Sequence, residues 1–252
     1  MEFRVLGPLE VGATGGTVHL VGPKQRSLLA LLLINAGEVL TVDQIIEALW
    51  HDECPQVRRK AVQFHIWKLR HAFELATGAA GTSVIHRKGP GYVIDISEHD
   101  LDSVQFETLV RRAHESLPDT PQAAGELLSE AMALWRGPAF ADVTYEDFAQ
   151  AEIRRLNELR FAALEDKIET DLVSGARLDL ITQLELLVTS HPLRERLRGQ
   201  LMRALCAADR PVEALLAYRD LEHAYAELGM RPSHDLEVLR DRILERDSVE
   251  LG

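Results

Sequence analysis

Between residues 57 and 73 the chain reads VRRKAVQFHIWKLRHAF, in which Val62, Ile66, Leu69 and Phe73 recur at i, i+4, i+7 and i+11. That spacing gathers them into one stripe of an α-helix, the face turned toward a core. The opposite side then carries Phe64 with Lys60, Trp67, Lys68 and His71, an aromatic and cationic face that the core does not need. Upstream, FRVLGPLEV alternates around Gly7-Pro8, GATGG is a turn cluster and TVHLV is a further short strand, which together predict a small antiparallel sheet. Pro23 suits a first helical turn, and Leu28, Leu29, Leu32 and Leu33 predict a helix from Lys24 to Asn35. Thr41 is an N-cap for a second helix, VDQIIEALW, with Ile45, Ile46, Leu49 and Trp50 inward. Beyond the 57–73 helix, VIHRKGPGYVIDI reads as two strands joined at Lys88-Gly89-Pro90-Gly91, a hairpin with a basic tip.

From Asp102 onward the pattern is helical throughout. LDSVQFETLVRRAHESL aligns Phe106, Leu109, Val110, Ala113 and Leu117, and PQAAGELLSEAMALW aligns Leu127, Leu128, Ala131, Leu134 and Trp135. A long helix is predicted from about Tyr145 to Ser174, closed at Gly175. Leu164, Ile168, Leu172 and Arg177 then repeat 33 positions later as Leu197, Leu201, Leu205 and Arg210. A helix-pair period near 34 residues is that of a tetratricopeptide-type solenoid, whose grooves commonly take protein. The predicted fold is therefore mostly α with a small β part: a domain over 1–97 and an all-α domain over 98–252.

Net charge is −12 over 252 residues, which on its face argues against a polyanionic partner. Its distribution reverses that reading. Residues 1–97 hold ten Lys/Arg against nine Asp/Glu, +1, while 98–252 hold eighteen against thirty-one, −13. Within 57–88 seven cations face one anion, Glu74, the pattern of a binding domain joined to an acidic partner domain. No apolar run reaches the length of a membrane span, and the N-terminus has no basic region or cleavage site of a secretory signal. Cys54 and Cys206 lie far apart, without metal-ligand spacing, and read as free thiols of a cytoplasmic protein.

Chemistry-bearing motifs are few. There is no GxxxxGK[ST], GxSxG or HExxH, and His65 and His71 lie on different sides of their helix, so no cofactor, metal or enzymatic activity is expected. The 57–73 helix follows two helices, where a helix-turn-helix protein places its major-groove element. On that arc Gln63 suits adenine, Lys68 a guanine edge and Phe64 a thymine methyl, while Lys60, His65, Trp67 and Arg70 suit phosphate and sugar. Arg87 and Lys88 at the hairpin tip can reach a minor groove or backbone. The competing readings are that Phe64 and Trp67 pack against another element, or that the chain is a repeat scaffold whose small domain binds protein.

Residues 1–97 resemble the winged helix-turn-helix domain of response regulators, in the variant with an N-terminal sheet, through VQFHIWKLRHAF and RKGPGYVI. The remainder resembles the bacterial transcriptional activation domain through ALWRGPAFADV, AEIRRLNELRFAALEDKIETDLVSG and HPLRERLRGQLMRALCAADRPVEALLAYRDLEHAYAELGMRPSHDLEVLRDRIL. The pair in this order is similar to the Streptomyces antibiotic regulatory proteins. That resemblance implies a sequence-specific activator of secondary-metabolite genes that binds direct repeats near the −35 element as a homodimer on promoter DNA and recruits RNA polymerase holoenzyme. It implies Lys60, Gln63, Phe64, Lys68 and Lys88 as base or groove contacts and Trp50, His65, Trp67, Arg70 and Tyr92 as backbone contacts. It also implies that the loop with His51, Asp52, Glu53 and Pro55 faces polymerase, its acidic pair meeting a basic surface of a sigma factor. Neither a receiver domain nor an ATPase is expected, and a repressor of the same fold is the alternative sign of action. Asp209 stands where the family usually has glycine, and Phe64 and Trp67 are bulkier than the residues usual at their positions.

Overall fold

The fold is that of a computed structural model, which describes residues 1–13, 16–50, 55–78, 84–96, 100–175 and 178–250, the side chains of 55–57, 178 and 246–250 excepted. Strands β1 (Glu2–Arg4), β2 (Glu10–Ala13) and β3 (Gly16–Thr17) form an antiparallel sheet, with Phe3 opposite Val11 and both fully buried. TVHLV contributes less strand than its alternation predicts. The ladder ends at Thr17, and one further bond, from the Val18 amide to the Val11 carbonyl, continues it.

Helix α1 (Pro23–Ile34) starts on its proline, and β4 (Leu40–Thr41) leads directly into α2 (Val42–Leu49). Thr41 caps α2 as expected: its hydroxyl accepts from the Gln44 amide at 3.2 Å, and the Gln44 side chain accepts from the Thr41 amide at 2.9 Å. Helix α3 (Pro55–Thr77) follows, then β5 (Ile85–Lys88) and β6 (Gly91–Ile94). The second sheet has the order β4-β6-β5, with Lys88 opposite Gly91 and Leu40 opposite Tyr92. Glycine is required twice in this hairpin. Gly89 has φ 56°, and at Gly91 a Cβ would run into the Leu40 carbonyl. Because Pro90 cannot take positive φ, the two-residue turn cannot be type I′, and Gly89 at its first central position meets the need of type II′.

Helices α4 (Asp102–Ser116), α5 (Pro121–Ala133), α6 (Asp147–Ser174), α7 (Leu178–Ser190), α8 (Glu195–Ala207), α9 (Pro211–Glu227) and α10 (His234–Glu250) complete the described chain. By packing, residues 1–115 and 129–161 make one compact unit and residues 116–128 and 162–252 another, so α5 and α6 contribute to both.

In the first unit the start of α4 is fastened to the N-terminal sheet. The buried Asp102 carboxylate accepts from the Val5 amide at 2.7 Å and the Leu6 amide at 3.1 Å, and the Arg136 and Phe140 amides donate to the Leu6 and Val5 carbonyls, each at 2.8 Å. Burial pushes the Asp102 carboxyl above its usual range, opposed by those two amides and by Arg136. In the second unit Ile168, Leu184, Leu197, Leu201, Leu205 and Leu221 share one core, with Leu164 and Leu172 packed against it, so the described leucine and isoleucine partners of the 33-residue repeat all turn inward. Arg177 lies outside the described residues. The consecutive helices α8 and α9 end alike. Arg210 donates to the Leu205 carbonyl and Met230 to the Tyr225 carbonyl, each at 2.9 Å, closing two Schellman motifs on Asp209 (φ 60°) and Gly229 (φ 68°).

Candidate nucleic-acid interface

Helix α3 has two unlike faces. Val62, Leu69 and Phe73 are fully buried and Ile66 nearly so, with Phe73 edge-on to Phe3 of the N-terminal sheet at 6.0 Å between ring centroids. On the other side Phe64 is 50% and Trp67 58% exposed. Among the described residues no other element covers these two rings. They stack along their own helix: Phe64 lies 6.3 Å from Trp67, and Trp67 lies 5.4 Å from His71 with ring planes 5° apart. Lys68 sits over the outer ring, its Nζ 4.5 Å from the Phe64 centroid. The i, i+3 and i+4 spacing of an α-helix brings these side chains together. Lys60 and Gln63 are exposed beside the stack.

Among the described residues, Lys60, Lys68, Arg87 and Lys88 have no carboxylate within 4 Å. Arg59, by contrast, is paired with Asp43 at 2.8 Å. Arg87 and Lys88 are exposed on β5, and between α3 and this wing lies an open cleft of about 460 Å³ lined by Trp67, Arg70, His71, Glu74, His86 and Arg87. His86 and Glu74 complete that cleft and were not evident as site residues from the sequence. The basic string IHRK was the local signal for His86, and Glu74 stood out in the sequence only as the one anion of 57–88.

Three expected contacts are placed inward. Trp50 is 4% exposed, with the Lys24 ammonium 5.9 Å from its ring while that ammonium donates to the Leu49 carbonyl at 2.6 Å. Tyr92 is 6% exposed. Arg70 is half-buried: its Nε–H donates to the Ile85 carbonyl at 3.0 Å, and its guanidinium lies 5.9 Å from the Tyr92 ring, which ties α3 to the wing. Trp50 and Tyr92, expected as backbone contacts, are thus almost wholly covered by the protein. They hold in place the elements that carry the exposed groups. His65 is half-buried, its ring 5.5 Å from that of Trp50 and 5.6 Å from that of Phe64. His51, Asp52 and Glu53 lie outside the described residues, and Pro55 is described only as the first residue of α3. None of the helices among the described residues is long and apolar enough to cross a membrane.

The family model for "Transcriptional regulatory protein, C terminal" matches residues 16–94, and that for "Bacterial transcriptional activator domain" matches residues 101–244. Regulatory protein AfsR of Streptomyces coelicolor is 35% identical over 251 residues, covering 98% of this chain and 24% of AfsR. Regulatory protein DnrI of Streptomyces peucetius is 31% identical over 253 residues, covering 98% of this chain and 93% of DnrI. The chain thus spans about a quarter of the first relative and nearly all of the second. The structure of Mycobacterium tuberculosis EmbR in complex with a low affinity phosphopeptide superposes with a TM-score of 0.90 at 32% identity, over 97% of this chain and 65% of that one. A winged helix followed by an activator domain that alone spans more than half of the chain, with likeness to these regulators along nearly all of it, makes the chain a member of the Streptomyces antibiotic regulatory protein family of transcriptional regulators.

Proposed function

We propose that the chain is a sequence-specific activator that reads promoter DNA with the exposed face of α3. The observation that carries this reading is the contrast across that helix. One face is buried in the core, while the other presents the Phe64, Trp67 and His71 stack beside Lys60 and Lys68, cations that no carboxylate of the described protein neutralises. Set in a major groove, such a face offers Gln63 and Lys68 to base edges, Phe64 to a thymine methyl, and Lys60 and Trp67 to the backbone. The wing brings Arg87 and Lys88 to the adjacent minor groove or phosphates, with Arg70 and Tyr92 holding the wing against the helix. The activity is binding rather than chemistry, and it is exercised in the cytoplasm, where the promoter is.

In this reading residues 1–97 choose the DNA and residues 98–252 act on transcription. Two copies occupy direct repeats near the −35 element, and the loop with His51, Asp52, Glu53 and Pro55 meets RNA polymerase holoenzyme, the acidic pair toward the sigma factor. The genes served are those of a secondary-metabolite cluster, as membership of the family suggests. The test is a footprint of the full chain on promoters beside its own gene, followed by transcription with purified polymerase. Protection of two short direct repeats and a rise in transcript support the reading. Absence of sequence-selective protection overturns the DNA assignment in favour of a scaffold, and a fall in transcript makes the chain a repressor. Alanine at both Asp52 and Glu53 is expected to lower transcription at unchanged promoter affinity, and an equal loss of affinity refutes the polymerase contact.

A further inference from the structure

A cleft of about 450 Å³ opens among α7, α8 and α9, with Val188, Leu201, Leu205 and Leu216 in its wall. That volume is in the range of small-molecule sites, which combine apolar walls with a few placed polar groups. Leu216 is 51% exposed, so part of the apolar wall has no protein cover.

One cation lines this cleft without close pairing. Arg198 of α8 is 6% exposed, and among the described residues its Nε–H has no hydrogen-bond partner. Among the described residues the one carboxylate within 4 Å is Asp220, 3.9 Å from Nη1, too far for a hydrogen bond and with its own side chain 72% exposed. Burial pulls the Arg198 guanidinium below its usual range, and Asp220 offsets that only in part. The other two acids of the cleft are served by a different arginine. Glu213 accepts two hydrogen bonds from Arg210, at 2.6 and 2.5 Å, and Glu185 lies 4.0 Å from the same guanidinium. A buried guanidinium held this loosely is a fork-shaped donor set waiting for an anion.

We propose that this cleft binds a small monoanionic molecule with an apolar body, its carboxylate on Arg198 and its body along Val188, Leu201, Leu205 and Leu216. The acids Glu185, Glu213 and Asp220 disfavour polyanions such as nucleotide phosphates, while a single carboxylate that reaches Arg198 displaces the weakly held Asp220. The site uses none of the residues of α3 or the wing, so it stands or falls apart from the DNA-binding reading.

Octanoate is the probe, with octan-1-ol as the uncharged molecule of the same chain length, each titrated calorimetrically into the full chain. Saturable octanoate binding, much weaker binding of octan-1-ol, and loss of the octanoate response in a folded Arg198→Met variant are expected. Asp220→Asn, an exposed change that leaves the fold intact, is expected to tighten octanoate several-fold by removing the competing carboxylate. The proposal is overturned by absence of octanoate binding, by equal binding of octan-1-ol, by unchanged affinity in Arg198→Met, or, should that variant fail to fold, by unchanged or weaker affinity in Asp220→Asn.

Discussion

Helices α3 and α8 both bury an apolar stripe and both carry several cations, yet the cations meet different fates. On α8, Arg196 pairs with Asp166 and Arg203 pairs with Glu169 at 2.5 Å, Arg198 alone being loosely held. On α3, Lys60 and Lys68 have no such partner among the described residues, and two half-exposed aromatic rings lie between them. The comparison separates two uses of a basic helix. Where carboxylates are supplied from neighbouring helices, as at Arg196 and Arg203, the charges fix helix packing and those cations need no outside partner. Where none is supplied, the positive potential is left outward, together with stacking area, and an external polyanion completes it.

The strongest way to sharpen this contrast is to empty each face of α3 in turn. Phe73→Ala removes a fully buried ring and should cost about 3–5 kcal/mol of stability. Trp67→Ala on the opposite face should leave stability within about 0.5 kcal/mol while weakening DNA binding. Denaturant titration of both variants decides it, and a large stability loss in Trp67→Ala would show that the exposed stack belongs to the fold. Next in size, Lys68→Ala should weaken specific binding by about 1–3 kcal/mol if it reads a base. A uniform loss on all sequences, with a shallower salt slope, would instead make it a phosphate contact.

On α8 the expected pattern is the reverse. Arg203→Ala removes a partly exposed pair with Glu169 and should cost about 0.5 kcal/mol of stability, with DNA affinity unchanged. Hydrogen bonds from Arg203 hold the Glu169 carboxyl below its usual range, so its contribution is present above the ordinary carboxylate pKa and is lost as pH falls through the lowered folded value. Urea midpoints across acid pH should therefore converge for Arg203→Ala and the parent, and a constant gap would deny the pair its charge. Smallest, Asp209→Gly relieves a left-handed residue at the end of α8, where the matching end of α9 has Gly229. It should raise stability by a few tenths of a kcal/mol, as a gain from lost strain offset by chain entropy, and a lower melting temperature would contradict that.

Much of α3 and its surroundings is legible in the sequence because local rules govern them. The stripe of Val62, Ile66, Leu69 and Phe73 follows helical period, Thr41 and Gln44 form a cap within one turn, and Gly89-Pro90 specifies its own hairpin. What the sequence conceals is settled by partners far along the chain. Tyr92 looks like a wing-tip aromatic until the Arg70 guanidinium and Leu40 are seen across from it, and Arg70 looks like a spare cation until its bond to the Ile85 carbonyl is seen. Asp102 reads as an ordinary helix start, whereas its carboxylate receives two amides from residues nearly a hundred positions earlier. The family models divide the chain between 94 and 101, while packing keeps α4 with the N-terminal sheet, and no periodicity reports such a link.

The central claim is that the outward face of α3 selects the DNA. Its most direct test is gel-shift affinity of the Gln63→Ala, Phe64→Ala double variant for the footprinted promoter repeat and for competitor DNA of scrambled sequence. With the fold intact by circular dichroism, the account predicts that preference for the repeat over competitor collapses while weak competitor binding persists. A double variant that keeps the parent's preference would contradict it.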